Sequence, residues 1–196
     1  MYWTQRDDGN PCILRSTMDG RNLILIKSDG IISPSGIAID YLGKRVCWAD
    51  VGKSKIQCTD LEGRYKYDFP IVHKNFVPDY VGIYGGTLYW AGRAAGSEKE
   101  GAIFKLGIAT TNFQTESGDV LKETLVGNVV DLNGFTIYHP GMLIHSHRRN
   151  PCRSHSCPGL CLLSGPTDFA CACPEGLTLG PDDGGKKCLR KDNTIL

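Results

Sequence analysis

Residues 34–50 read PSGIAIDYLGKRVCWAD, and their pattern is the clearest indication of the architecture of the chain. Apolar and small residues alternate in its first half as they do in a β-strand, Gly-Lys marks a turn, and a second β-rich run leads to Trp48. The pattern returns as PDYVGIYGGTLYWAG at residues 78–92, and its closing tetrapeptide also appears as Tyr2-Trp3-Thr4-Gln5. All three tryptophans therefore follow one repeat of about 43 residues.

Further markers keep the same phase. Ile13-Leu14-Arg15 and the turn Met18-Asp19-Gly20 match Ile56-Gln57-Cys58 and the turn Leu61-Glu62-Gly63. Residues 132–138 repeat the strand that precedes each tryptophan, and we interpret them as the strand of a terminating copy. Four short β-rich runs per repeat, separated by Gly, Asp and Lys turns, predict an all-β chain of propeller blades. An antiparallel sandwich with tryptophans recurring by chance is the alternative, and the phased markers argue against it.

Six cysteines occupy the last third of the chain, with 4, 3, 9, 1 and 14 residues between them. This spacing is typical of an EGF-like module. A segment of about 40 residues buries too little apolar surface to fold alone, so it relies on disulfides or a metal. Spacing alone permits about 15 pairings, and zinc is a competing use that favours paired Cys or His ligands. The six residues are Cys152, Cys157, Cys161, Cys171, Cys173 and Cys188.

Together these motifs resemble the YWTD propeller and EGF-like module of the low-density lipoprotein receptor family. The likeness includes Ile137-Tyr138-His139-Pro140 and Cys171-Ala172-Cys173-Pro174, and it covers nearly the whole chain. It implies a YWTD β-propeller over residues 1–145 and an EGF-like domain over residues 146–192. The family's propeller has six blades, whereas residues 1–145 supply about three repeats. We therefore expect a partial, truncated propeller that self-associates through open blade edges.

The same resemblance has consequences for individual residues. It implies disulfides between Cys152 and Cys161, Cys157 and Cys171, and Cys173 and Cys188. The tetrapeptide of the family ends in an acid, which only Asp50 preserves, because Gln5 and Gly92 stand in the other copies. The polar contacts between blades that this acid makes in the family are therefore not expected at those two copies.

Three cysteines lie outside the EGF-like segment. Cys47 and Cys58 lie symmetrically about residues 51–54, so a hairpin pairing Asp50 with Lys55 would bring their Cα atoms within about 5.5 Å. A cross-strand disulfide and two buried thiols both fit this arrangement. Cys12 has no candidate partner, so either its partner was lost with the missing blades or it stays a free thiol.

Several functions are excluded or disfavoured. The formal net charge of +1, without a basic stripe, argues against nucleic-acid binding. No apolar run approaches the roughly 20 residues that span a bilayer, and no charged-then-apolar leader follows Met1. Arg148 and Arg149 precede the first EGF cysteine, and Leu163 stands where a calcium-binding module carries Asp or Asn, so no metal is expected.

Catalytic motifs are also missing, since there is no Gly-x-Ser-x-Gly elbow, phosphate-binding loop or His-Glu-x-x-His. We expect no enzyme activity and no cofactor. The strongest enzymatic alternative is a six-bladed calcium lactonase or hydrolase. Its cavity needs ligands from most blades, which three repeats do not supply.

The sequence therefore predicts an extracellular protein-binding module from a membrane-receptor ectodomain, with a lipoprotein or secreted signalling protein as ligand. Endocytic uptake with acid-triggered release is one role, a Wnt-type signalling co-receptor is another, and a truncated product without independent activity is a third. Candidate contacts near strand ends are Asp40, Tyr41, Asp79 and Tyr84. Histidine titrates near pH 6.5, so a pH-sensing hinge is one interpretation of a histidine group near the domain junction, and a solvated basic linker is the simpler one. The group comprises His139, His145, His147 and His155.

Overall fold

The computed structural model describes residues 1–7, 9–69, 75–97, 99–108, 122–140, 150–180 and 187–190. The chain divides into two compact units. The larger, here called the blade unit, contains Tyr2–Leu14 and Leu25–Pro140, and the smaller, the cysteine-rich unit, contains Met1, Arg15–Ile24 and Gly141–Leu196. Apart from short 3₁₀ turns such as Val51–Lys53 and Pro151–Ser154, the regular elements of the described residues are β-strands. The all-β class is confirmed.

Three sheets form the framework of the blade unit. The first has the order β1-β2-β3, with strands Tyr2–Gln5, Cys12–Arg15 and Ile24–Lys27. The second has the order β4-β5-β6-β7, with strands Pro34–Asp40, Arg45–Asp50, Lys55–Asp60 and Tyr67–Phe69. The third has the order β11-β10-β9-β8, with β8 Phe76–Tyr84, β9 Thr87–Ala94, β10 Glu100–Gly107 and β11 Lys122–Val130. Consecutive strands are neighbours throughout, as in the meander of a propeller blade.

The second and third sheets repeat one another in detail. Both first strands, β4 and β8, carry a register shift just after Pro34 or Pro78, and both then pair with a tryptophan, Trp48 or Trp90. The predicted register of the β5–β6 hairpin is also confirmed, since Asp50 faces Lys55. The repeat found in the sequence is therefore a repeat of backbone geometry, including its bulge.

Two apolar cores hold these sheets together. Trp48 is fully buried and clusters with Ile13 and Ile26 of the first sheet. Trp90 belongs to a second cluster, where it stacks on Phe104 with ring centroids 4.1 Å apart. Because large aromatic side chains contribute most to core packing, these tryptophans explain why the repeat is phased on them.

The first strands of neighbouring sheets lie side by side and in phase. The Ser35 hydroxyl donates to Asp79, and a Cβ on Gly36 would lie only 2.7 Å from the Tyr80 Cα atom. Both contacts join equivalent positions of the repeat. The close approach of the two backbones at Gly36 and Tyr80 is possible because glycine has no Cβ. Residues 132–138 were expected to form a strand, but the structure assigns them none. The segment nevertheless lies along β8, since a Cβ on Gly82 would be 2.8 Å from Ile137 Cδ1.

The acid that ends the tetrapeptide has a clear structural use. Asp50 is buried, and its carboxylate accepts hydrogen bonds from the N–H groups of Ile32 at 3.0 Å and Ser33 at 2.9 Å. It thus fixes the connection that leads into β4. At the matching position, a Cβ on Gly92 would lie 2.6 Å from the Val77 carbonyl oxygen, so the backbone already fills the space of an acidic side chain.

The cysteine-rich unit contains two small antiparallel hairpins. β12 Leu160–Leu163 pairs with β13 Phe169–Ala172, and β14 Leu177–Leu179 pairs with β15 Cys188–Arg190. The Asn150 side chain accepts the N–H of Cys152 at 2.9 Å, which caps the 3₁₀ turn. Within this unit the Met18 N–H donates to the Leu163 carbonyl at 3.0 Å. Among the described residues, no helix has the length and apolar character needed to cross a membrane.

Candidate ligand-binding surfaces

Four polar side chains, here called the arginine cluster, join the three sheets near the start of β4 and β8. They are Arg6, Ser35, Asp79 and Arg93. Arg93 donates to Asp79 Oδ2 at 3.0 Å, and Arg6 places a guanidinium nitrogen 3.7 Å from Asp79 Oδ1. Arg6 also donates to the Pro34 carbonyl at 2.6 Å. Since each sheet supplies a member, the cluster ties neighbouring sheets together.

Asp79, predicted as a ligand contact, has this structural role instead. Its side chain is only 15% exposed, and both carboxylate oxygens already have partners. The two arginines are about half exposed and outnumber the acid, so the cluster carries net positive charge. Arg93 Nε is buried with no hydrogen-bond partner among the described residues.

Asp40, also predicted as a contact, lies buried beneath the β4–β5 turn. It is 3% exposed and accepts from Arg45 Nε at 2.7 Å and from the N–H groups of Leu42 and Gly43 at 3.1 and 3.0 Å. A Cβ on Gly43 would collide with the Asp40 carboxylate, so this position needs glycine. Its partners leave Asp40 no surface for a ligand, and its role is to hold the turn.

The same turn presents two large side chains to solvent. Tyr41 is 81% exposed and Leu42 is 64% exposed, the highest exposed fractions among the large hydrophobic side chains of the described turns of the second sheet. Hydrogen bonds from the Leu42 and Gly43 N–H groups to the buried Asp40 hold their backbone, so little backbone conformational entropy is left to lose on binding. A rigid exposed tyrosine of this kind suits a protein contact.

Tyr84 lies at the matching end of β8. Its hydroxyl is 2.6 Å from His139 Nδ1, and the two rings lie tilted at 34° to one another with centroids 4.8 Å apart. Tyr138, which directly precedes His139 in the sequence, is 77% exposed. Because the first strands are in phase, Tyr41, Leu42, Tyr84, Tyr138 and His139 lie at one end of the blade unit, here called the tyrosine end.

The predicted contact residues therefore divide between two ends. Asp79 and Tyr84 are five residues apart on β8, which corresponds to about 17 Å along an extended strand. Asp79 lies in the arginine cluster, whereas Asp40, Tyr41 and Tyr84 lie at the tyrosine end. The structure thus does not bring the four residues together as one site.

Carboxylates in the second sheet have pKa values set by their neighbours. Burial alone would raise the pKa of Asp68, but hydrogen bonds from Gln57 Nε2 at 2.7 Å and Lys55 Nζ at 2.9 Å hold it below its ordinary value. Burial also acts to raise the pKa of Asp60, and the guanidinium of Arg64 at 2.7 Å outweighs it. Both groups remain ionised between cell-surface and endosomal pH, so they supply fixed charge.

The predicted histidine group is only partly described. His145 and His147 lie outside the described residues. His155 is exposed and accepts the N–H of Cys157 on Nδ1 at 3.0 Å. Its nitrogen and the sulfurs of Cys157 and Cys161 lie within 4.8 Å of one another, but both sulfurs are held in disulfides and offer no thiolate to a metal.

The structure joins the cysteine pairs that the family resemblance implied. Its disulfides are Cys152–Cys161, Cys157–Cys171 and Cys173–Cys188. Of the two arrangements open for the β5–β6 hairpin, it has the cross-strand disulfide Cys47–Cys58, with Cα atoms 4.0 Å apart. Cys12 is free and buried, and this burial, with the negative charge of Asp7, raises the pKa of its thiol.

Arg6 and Arg93 were not among the predicted site residues, although the sequence contains a signal for them. Each stands three residues after a repeat tryptophan, Trp3 or Trp90, so the two arginines occupy the same position of the repeat. A charged residue that recurs in phase suggests a shared structural use. The position following Trp48 by three is Val51, so the second sheet supplies no arginine there.

Comparisons with known proteins extend these observations. No family model matches the chain. The chain is 30% identical over 194 residues to the vitellogenin receptor Yl of Drosophila melanogaster, an alignment that covers 96% of this chain and 9% of that receptor. Among solved structures, a chain of a nidogen/laminin complex superposes with a TM-score of 0.46 at 24% identity, over 57% of this chain and 40% of that one.

Proposed function

Because the chain belongs to the low-density lipoprotein receptor family, we propose that it is a non-enzymatic, extracellular protein-binding module of a receptor. One observation carries this proposal: a single receptor segment aligns with 96% of the chain. The repeats and the cysteine-rich segment therefore occur in the same order in a receptor. In our proposal residues 1–145 form part of a YWTD propeller and residues 146–192 form the EGF-like module.

The proposed ligand is a large secreted protein of the lipoprotein class. The name of the aligned relative describes a receptor for vitellogenin. Four disulfides suit an oxidising, extracellular compartment, where such a ligand is met. The receptor would deliver the ligand by endocytosis, with this module as one of its contact surfaces.

Within the module, the tyrosine end is the proposed contact surface. Tyr41 and Tyr138 are more than three-quarters exposed, and Leu42 adds an exposed apolar side chain on a rigid turn. Tyrosines in such settings anchor protein interfaces because they bury much area with few rotatable bonds. The acid of the arginine cluster, by contrast, is already engaged in ties between sheets.

A binding experiment tests this assignment. The full chain, with its disulfides intact, is immobilised and exposed to purified vitellogenin in a surface plasmon resonance measurement. Tyr41→Ala and Tyr138→Ala should each weaken binding about tenfold, the loss typical of an anchor residue. Ile32→Ala is the matched control, because Ile32 is 59% exposed but precedes β4 at its opposite end. Absence of saturable binding, or an equal loss in the control, would contradict the proposal.

Measuring the binding of the ligand at neutral and at acidic pH tests the endocytic role. Histidine is the side-chain type whose charge changes between cell-surface and endosomal pH, and His139 lies at the tyrosine end with its Nδ1 2.6 Å from the Tyr84 hydroxyl. Endocytic release predicts weaker binding near about pH 5.5 than near about pH 7.4, and His139→Gln should reduce that difference. Affinity that is insensitive to pH would favour a signalling role for the module.

A further inference from the structure

Two lysines of the second sheet converge on one backbone oxygen. The carbonyl of Gly30, in the connection between β3 and β4, accepts from Lys53 Nζ and, at 3.4 Å, from Lys66 Nζ. Gly30 has a φ of 62°, and a Cβ there would lie 3.0 Å from Lys66 Nζ and 3.4 Å from Lys53 Nζ. Glycine therefore leaves the space in which both ammonium groups lie.

These two ammonium groups lack a carboxylate partner among the described residues. Asp68, an acid of the same sheet, is already bonded to Lys55 and Gln57, and its interaction with Lys66 is only a longer-range electrostatic one. A single carbonyl dipole does not neutralise two unit charges that lie a few ångströms apart. The arrangement is therefore short of negative charge, although both side chains are half-buried and held in position.

Two further lysines lie on strands of the first and second sheets. Lys27, whose side chain is 18% exposed, ends β3 and lies 3.8 Å from the well-exposed Asp29. Lys55 begins β6 and pairs with Asp68 at 2.9 Å. Four lysines, Lys27, Lys53, Lys55 and Lys66, stand against three acids: Asp29, Asp68 and the buried Asp50, whose carboxylate accepts hydrogen bonds from the N–H groups of Ile32 and Ser33 in the same connection. The local excess is one positive charge.

We infer that Lys53, Lys66 and the Gly30 turn form a binding site for a sulfate-type oxyanion, supplied by a sulfated polysaccharide of the extracellular space. A tetrahedral oxyanion offers several acceptor oxygens and can receive an N–H from each lysine at once. Neighbouring sulfates on one chain would meet Lys27 and Lys55. Ligand binding at the tyrosine end is a separate property, so this site goes beyond the function proposed above.

The test measures binding of a defined heparin oligosaccharide to the full chain by isothermal titration calorimetry at several salt concentrations. Lys53→Gln/Lys66→Gln should weaken binding at least about tenfold and lower the slope of log K against log salt by about two. Lys44→Gln/Lys187→Gln is the control, since it removes the same net charge from exposed lysines elsewhere. The control should keep its affinity within about twofold. Equal losses in both variants, or no binding by the wild-type chain, would overturn the inference.

Two further ligands, inorganic sulfate and a desulfated oligosaccharide, show whether the bound anion comes from a polysaccharide and whether it is a sulfate. The oligosaccharide should bind at least about tenfold more tightly than inorganic sulfate, because several sulfates act together. Equal affinities would assign the site to the free ion and overturn the polysaccharide. A desulfated oligosaccharide keeps its carboxylates, so undiminished binding would overturn the sulfate assignment. Urea unfolding checks that the double variant is folded. The single variant Lys66→Gln is a second test, and its affinity for the oligosaccharide should fall about threefold.

Discussion

Replacing Asp40 by alanine tests the turn that presents Tyr41. The substitution leaves the Arg45 guanidinium, only 4% exposed, without the carboxylate that now lies 2.7 Å from its Nε. Removing one partner of a buried ion pair typically costs about 3–5 kcal/mol, because the remaining charge stays buried and loses that carboxylate. The N–H groups of Leu42 and Gly43 also lose their acceptor, but they belong to a surface turn where water can replace it. We therefore expect a loss of about 4 kcal/mol in the free energy of unfolding.

Urea unfolding of the oxidised chain at neutral pH, followed by tryptophan fluorescence, measures this loss. Trp48 and Trp90 are both buried, so their emission reports the blade unit. The matched control is Lys55→Ala, which breaks a pair of similar length, 2.9 Å, whose side chains are 50% and 41% exposed. That pair should contribute less than about 1 kcal/mol.

Two additional variants separate the contributions. Asp40→Asn retains an acceptor for the turn and should recover about 1 kcal/mol relative to alanine. Asp40→Leu/Arg45→Met removes both charges and should recover most of the loss, since a buried pair can be replaced by apolar side chains at little cost. A free energy of unfolding for Asp40→Ala within about 1 kcal/mol of wild type would refute the reasoning, as would equal losses in Asp40→Ala and Lys55→Ala.

Three further predictions concern other parts of the chain. Cys12 should resist alkylation at pH 8 while the chain is folded and react once it is unfolded in urea, because burial raises the pKa of its thiol; thiol mass labelling measures this. Gly92→Ala should lower the free energy of unfolding by about 1–3 kcal/mol in the same urea assay, because its Cβ would lie 2.6 Å from the Val77 carbonyl oxygen. The folded-state pKa of Asp68 lies below its unfolded value of about 3.9. Its stabilising effect should therefore be complete above that pH and be lost as pH falls through the folded pKa, so Asp68→Asn should flatten the acid side of the stability profile.

The backbone of the blade unit was largely predictable from the sequence. Trp48 and Trp90 mark equivalent strands because each must fill the same core volume, and the bulges after Pro34 and Pro78 follow the same phase. The register that places Cys47 opposite Cys58 followed from their symmetry about one turn. Periodicity and spacing report these features because they are local properties of the chain.

The partners of individual side chains were less accessible to the same reasoning. Asp40 and Asp79 were recognised as polar residues near strand ends, but a sequence does not show that Arg45 or Arg93 will lie against them. Residues 132–138 carry a strand pattern, yet a strand also needs a ladder partner, and the described residues provide none for this segment. In each case the partner of the residue or segment is set by tertiary packing, which the local sequence does not report.

Recognition in such a fold is expected where the repeats differ. Positions that the repeats share, such as Trp48 and Trp90, are committed to cores, and the acid at Asp50 is committed to its preceding connection. The two turns after the first strands have no such constraint in common. After β4 the chain places Tyr41 over a buried ion pair, whereas after β8 it turns through two glycines with positive φ, Gly85 at 59° and Gly86 at 75°. A ligand that contacts these turns can therefore distinguish one blade from the next, and the exposed Tyr41 is the difference that it would meet.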